Sequence, residues 1–385
     1  SVAPYLTSIL TSNPGMLDEL MDSLLLDQLP SEEALRQQLR ELLHAAEDPN
    51  PILHSFKNTM HLLVGARDVL GKESLAAKHR FLSDVAEVCL GEVMDFQYHQ
   101  LVEKWGQPIG PDGRPMPWTV LALGKLGGKE PNYHSDLDLA FVYLQDGQTV
   151  GANPTSHQHF FGCLASEAVK ALTKFGPLGR LFEVDCRLRP TGRGGVLAVS
   201  LPQLRKYFGT NRTANSPGNS QAQLWERQAL CKARIIGGNA ELQVQLQQWL
   251  VEVRNTGLAR RRIAGEIYDT RRKMEQNAGQ WNLKRGVGGT VDIEFAVQML
   301  QLIYGSTHPE IHHQNTLQAL QRLQAANLLH PEDAAYFHPA YEFLREVETR
   351  LRLLDLAARH DLPVNPNDLE KLAYLLQTQP AQKLS

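Results

Sequence analysis

Asp136 and Asp138 stand two residues apart in the run Ser135-Asp136-Leu137-Asp138, which opens the apolar stretch LDLAFVY at 137–143. In an extended strand, residues i and i+2 share a face, so both carboxylates would be presented to one point. Oxygen ligands gathered this way suit Mg2+, with Mn2+ as the alternative, because such ions take a few carboxylates and complete their shell with phosphate and water. Ahead of this run lies Gly124-Lys125-Leu126-Gly127-Gly128. The pair Gly127-Gly128 lets a backbone approach a phosphate closely and offers it N–H groups. A second alternation, RLFEVDCRLRP at 180–190, sets Glu183, Asp185, Arg187 and Arg189 on one face and Phe182, Val184, Cys186 and Leu188 on the other. Four charges on one side of a half-buried strand call for water, a ligand or a metal there. A lone D-x-D is a weak signal, most often a solvated turn. Joined to the glycine pair and to Asp185 it is far more specific, since three carboxylates can hold two ions that clamp an in-line displacement at phosphorus.

These residues need a sheet to hold them. The spacing predicts strands at 118–124, 137–143 and 180–190, with a helix over roughly 156–175 between the second and third. Before the turn-rich segment 107–117 the chain reads as helices. Val85, Cys89, Val93 and Phe96 fall at helical spacing, Asp84 and Glu87 suit a capping box, and Gly106 suits a stop. From about 201 the pattern is helical again, through a polar loop at 210–221, and from 240 onward nearly everything reads helical, including 293–305 and 343–359. The expected fold class is α+β and mostly helical, a small mixed sheet with helices on both sides. The expected domains are an N-terminal helical region at 1–106, a catalytic domain at 107–238 and a C-terminal helical bundle at 239–385.

The formal charge of −3, with no long run of like charge, argues against nucleic acid as a partner. The clusters 260–262 and 271–273 read as solvated helix faces. Cys89, Cys163, Cys186 and Cys231 are far apart and sit among apolar residues, so reduced thiols in a cytoplasmic protein are expected. No apolar run is long enough for a membrane span, and none is expected. His308, His312 and His313 lack the partners of a zinc site and read as surface or capping residues. The first residue is Ser1, and the tail 377–385 ends abruptly. The expectation is one half of a longer protein with a second catalytic module on its N-terminal side.

At these motifs the chain resembles the polymerase-β-like nucleotidyltransferase superfamily and, more closely, the bacterial glutamine-synthetase adenylyltransferase family. The matching pieces are LGKLGGKEPNYHSDLDLAFVY (123–143), FEVDCRLRPTGRGG (182–195), WERQALCKARIIGG (225–238) and GVGGTVDIEF (286–295), with NPGMLDEL (13–20) resembling the lead-in to the catalytic module. The resemblance implies that Asp136 and Asp138 bind both Mg2+ ions. It implies that Asp185 binds the catalytic metal and helps deprotonate the attacking hydroxyl, and that Gly127, Gly128 and Ser135 hold the ATP triphosphate. Arg187 and Arg189 would neutralise phosphate charge, unless one of them pairs with Glu183. Lys125, Glu226, Lys232 and Arg234 are secondary candidates, with a structural ion-pair network as the competing reading of the last three. The same two readings hold for Asp292 and Glu294. His134, beside Ser135, is either a nucleotide contact or a loop residue without a role. The loop at 210–221 is longer than the family pattern.

The implied reaction is AMP transfer from ATP to a tyrosine of glutamine synthetase, regulating nitrogen assimilation, with a PII-type nitrogen signalling protein as a further partner. Its reverse, phosphate-driven removal of AMP, uses the same core, and a catalytically silent binding module would keep the fold. Three intact carboxylates count against the silent module. The residues at 135–139, 183–185 and 225–230 are more similar to the C-terminal, AMP-adding module of the family.

Overall fold

The computed structural model describes residues 3–12, 14–17, 28–44, 46–176, 179–190, 192–210, 220–255, 257–354 and 360–377. Part of the 13–20 lead-in, residues 211–219 of the polar loop, 355–359 of the C-terminal helical run and the tail from 378 lie outside the described residues.

The chain begins with helices Pro4–Ser12, Glu32–Leu43, Asn50–Val69 and Leu75–Trp105. The last starts ten residues earlier than the Asp84 cap predicted. Ser74 is its N-cap, its Oγ accepting from Ala77 N at 3.2 Å. Leu75, Phe81 and Leu82 are buried, and that apolar burial carries the helix through Asp84. Asp84 and Glu87 instead reach across to Lys129 at 2.7 Å and Arg234 at 2.8 Å. Phe96 lies at the surface rather than in the buried stripe. Gly106, at φ +80, ends the helix as expected.

The strands are β1 (Gln107–Pro108), β2 (Trp118–Ala122), β3 (Leu137–Tyr143), β4 (Thr149–Val150), β5 (Val184–Asp185), β6 (Ala198–Ser200) and β7 (Arg234–Ile236). β1 and β4 form a small antiparallel pair. In the main sheet β3 is central: β2 pairs with it antiparallel on one side, while β5 and then β6 pair with it in parallel on the other. β7 extends the sheet beyond β2. The sheet therefore draws in residues well past 190. β3 alternates as its sequence predicts. Leu137, Leu139, Phe141 and Tyr143 face the core shared with the N-terminal helices and helix His157–Thr173. Ala140 and Val142 face a second core closed by helices Leu201–Phe208 and Ala240–Arg254. Burying each large apolar side chain contributes about 1.5–3 kcal/mol, so β3 is pinned in register from both faces.

The third predicted strand is cut short. β5 holds only Val184–Asp185 because Asp185 starts a turn, its Oδ1 accepting from Arg187 N at 2.8 Å. Strand alternation stops there, so Arg187 and Arg189 do not continue the face of Asp185.

Helices Arg260–Gln276, Thr290–Tyr304, Thr316–Ala325, Pro331–Leu354 and Pro366–Gln377 complete the chain. Arg271, predicted on a solvated face, is buried against Asp292. Helix Pro331–Leu354 is fastened to the N-terminal helices by buried charges. Lys78 Nζ lies 2.6 Å from Asp68 and 3.0 Å from Glu346, and Arg350 lies 2.9 Å from the same aspartate.

Candidate active site

β3 and β5 set the carboxylates. Their parallel register makes Asp138 and Asp185 Cα partners, and Leu137 N donates to Glu183 O at 2.8 Å to hold the pair together. Asp136 lies just before β3, on the same side of the chain as Asp138. Each aspartate offers an oxygen within 4.8 Å of the others, and among the described residues this is the one such cluster of His, Cys, Asp and Glu. Burial pushes the Asp138 carboxyl up to about 7, aided by the negative charges of Asp136 and Asp185. Three hard oxygen donors whose shared charge is costly to maintain fit a divalent cation such as Mg2+.

Asp136 and Asp185 line a cavity of about 670 Å3, with the more deeply set Asp138 behind them. Ser135 is at its edge, its Oγ accepting from Asn132 N at 2.8 Å and so fixing the turn into β3. His134 holds a left-handed conformation at φ +58 and packs its ring 4.2 Å from that of Tyr5. Arg187 also lines the cavity, with Nε 2.7 Å from Asp185 Oδ2. Glu183 pairs with Arg180 rather than with either arginine named for it. Arg189 does not line the cavity. Its guanidinium donates to the carbonyls of Cys186 and Gly195 and braces the loop after β5.

Gly127 and Gly128 are not brought to this cavity. Their N–H groups donate to Leu123 O at 2.8 Å and Gly124 O at 3.2 Å, and both line a separate cavity on the far side of the segment. Gly127 has another use, since a Cβ there would lie 1.9 Å from Lys232 O. The glycine at the carboxylates is Gly124. It holds φ +53, and a Cβ on it would lie 2.0 Å from Asp138 Oδ2. Its position at the end of β2, with the next strand opening on Asp136, was the available signal.

Lys125 lines the carboxylate cavity, with Nζ 2.9 Å from Glu348. Burial, then the Arg345 charge, brings its ammonium down to about 7, against the opposing pull of Glu348. The other secondary candidates are structural. Glu226 closes a capping box with Gln223 and accepts from Tyr207 at 2.8 Å. Lys232 is buried against Glu130 at 2.6 Å, and Arg234 holds Glu87 and the Gly127 carbonyl. Asp292 accepts from Arg271, and Glu294 accepts from Tyr341 at 2.9 Å. His312 is lowered to about 4 by burial and by the Arg254 charge, and no metal-ligating cluster forms around it among the described residues.

Four basic residues of this cavity were not singled out from the sequence: Lys284, Arg285, Arg352 and His360. Two of them stand immediately before the 286–295 motif, which is the local hint of their role. The other two reach the cavity only through the packing of the C-terminal helices.

Residues 1–249 match the family model for glutamate-ammonia ligase adenylyltransferase, and residues 259–384 match that for GlnD PII-uridylyltransferase. Curated relatives carry the name bifunctional glutamine synthetase adenylyltransferase/adenylyl-removing enzyme. The protein of Aromatoleum aromaticum is 34% identical over 378 residues, covering 96% of this chain and 37% of the relative. That of Methylococcus capsulatus is 31% identical over 328 residues, 84% of this chain and 33% of the relative. That of Nitrosomonas europaea is 31% identical over 386 residues, 96% of this chain and 40% of the relative. The chain thus spans 33% to 40% of the length of these relatives. Two-thirds of its residues fall within the first family model, around the sheet that bears Asp136, Asp138 and Asp185, and the chain belongs to the glutamate-ammonia ligase adenylyltransferase family.

Proposed function

We propose that this chain transfers AMP from ATP to a tyrosine hydroxyl of glutamine synthetase. The observation that carries the reading is the convergence of Asp136, Asp138 and Asp185 at one cavity in a chain of this family. These three would hold the divalent ions, Mg2+ being the choice that their all-oxygen set favours. Once bound, such ions neutralise charge at the phosphorus under attack and on the departing pyrophosphate. Asp185 is the carboxylate placed to take the proton of the tyrosine hydroxyl, whose pKa near ~10 keeps it protonated at neutral pH. Arg187 holds Asp185 in position now and lines the same cavity, within reach of a phosphate group. Ser135 stiffens the turn that aims Asp136. Gly124 keeps the end of β2 close against Asp138.

The addition of AMP rather than its removal is supported by the similarity of 135–139, 183–185 and 225–230 to the AMP-adding module. The relatives' shared name carries both activities. The match of residues 259–384 to a PII-uridylyltransferase model supports a PII-type protein as a regulatory partner. The ATP requirement and four free cysteines support a cytoplasmic setting. Among the described residues no helix is long and apolar enough to cross a membrane.

The test supplies the chain with ATP, Mg2+ and unmodified glutamine synthetase in one arm, and with phosphate and the AMP-modified form in another. Mass spectrometry should find tyrosine-linked AMP in the first. Release of AMP in the second, with no transfer in the first, would reverse the direction, and failure of both would reject the function.

A further inference from the structure

The cavity has two unlike sides. One carries Asp136 and Asp185, with Asp138 behind them, and the other carries Lys125, Lys284, Arg285, Arg352 and His360. Apart from Lys125, these basic residues come from the segment that matches the second family model. We infer that Lys284, Arg285, Arg352 and His360, with Lys125, form the subsite for the polyphosphate end of the nucleotide, so that residues 259–384 supply half of the reaction cavity. This rests on the proposed nucleotidyl transfer for the identity of its ligand, a triphosphate before reaction and pyrophosphate after it.

The clearest sign is Arg352. It is 2% exposed yet lines the cavity, and its Nε and Nη1 have no hydrogen-bond partner among the described residues. A buried guanidinium with donors left over is costly unless an anion completes it. Its charge is favoured by Asp136, just as the Lys284 charge favours ionised Asp138. The two sides therefore sense each other across the space where a phosphate chain bridging metal and guanidinium would lie.

The wall is built rather than accidental. Glu348 is the shared counter-charge, 2.9 Å from Lys125, 3.2 Å from His360 and 3.5 Å from Arg352. One carboxylate so placed orients three basic groups but cannot neutralise them all. Lys284 and Arg285 are presented by a turn in which Asn282 Oδ1 accepts from their N–H groups at 3.2 and 2.7 Å. Gly286 is required in that turn, since a Cβ on it would lie 2.5 Å from Asn282 O. Leu283 N donates to His360 O at 2.8 Å, which ties the turn to the remaining member of the wall.

The test is calorimetric binding of tripolyphosphate, ATP and AMP to the full chain with Mg2+. It compares the parent with the double variant Lys284→Ala/Arg285→Ala, whose side chains lie on a turn, and with Arg352→Gln, melting temperature serving as the check on folding. Losing charge-assisted contacts should weaken ATP and tripolyphosphate by about tenfold or more, while AMP stays within about twofold. Equal weakening of AMP and ATP, unchanged ATP binding in the double variant, or failure of the parent to bind tripolyphosphate would each overturn the inference. If polyphosphate binding follows the expected pattern while no AMP reaches glutamine synthetase, the subsite stands and the proposed function falls.

Discussion

Asp138 and Asp185 are Cα partners across a parallel strand pair only two residues long, yet their surroundings differ sharply. Asp185 pairs with Arg187, whereas Asp138 has no ion pair among the described residues and its carboxyl is raised to about 7. Such a carboxylate is held ionised at a cost that a bound cation removes.

That cost has a sign. A carboxyl whose folded pKa exceeds the unfolded value of about 3.9 binds more protons when folded, so its contribution to stability declines as pH rises between the two values. Asp138→Asn should therefore stabilise the metal-free chain by about 1–3 kcal/mol at pH 8 and by little at pH 4. Urea denaturation at the two pH values, with chelator present, measures this; an equal effect at both would contradict the assigned environment.

Magnesium should act in the same place. At a concentration about 100 times its dissociation constant it should stabilise the parent by about 2.7 kcal/mol, more at pH 8 than at pH 5, where Asp138 is protonated. Asp138→Asn and Asp136→Asn should lose most of this response and lower AMP transfer by about 100-fold or more. Thermal melts with and without Mg2+, beside the transfer assay, decide it.

Two glycines of one motif should separate by what they break. Gly124→Ala forces a methyl against Asp138 at a positive φ, so the Mg2+ response should be lost along with about 1–2 kcal/mol of stability. Gly127→Ala pushes into Lys232 O and should cost stability while leaving the ATP dissociation constant of the folded fraction within about twofold. Similar loss of nucleotide affinity in the folded fraction of both variants would return Gly127 to the phosphate site.

The carboxylates were legible in the sequence because strand alternation is a local rule, and β3 obeys it over its whole length. The glycine pair misled because conformational permissiveness does not say what approaches the backbone. At Gly127 it is a neighbouring carbonyl. Arg187 and Arg189 were misplaced because Asp185 begins a turn, and a turn resets the facing of everything after it. Arg352 and His360 had no readable signal at all. They sit more than 200 residues from Asp136, and only the docking of helix Pro331–Leu354 brings them to it.

Glu348 should prove costly to neutralise. It is buried and serves Lys125, Arg345, Arg352 and His360. Glu348→Gln leaves these charges without their common partner and should destabilise the chain by about 3–5 kcal/mol. Urea denaturation beside Glu226→Gln, which loses only capping and one tyrosine contact and should cost about 1 kcal/mol, provides the comparison. Equal losses would show that the Glu348 cluster is not a shared network.

The buried charges of Asp68, Lys78, Glu346 and Arg350 bear on how this chain is inherited. They join its first hundred residues to its last fifty, bypassing the point near residue 254 where one matched family gives way to the other. A gene cut at that point would leave each product with ionised groups facing no counter-ion. Exchange of the second part between lineages would thus have to preserve salt partners encoded far upstream, so the two parts are expected to travel and diverge together.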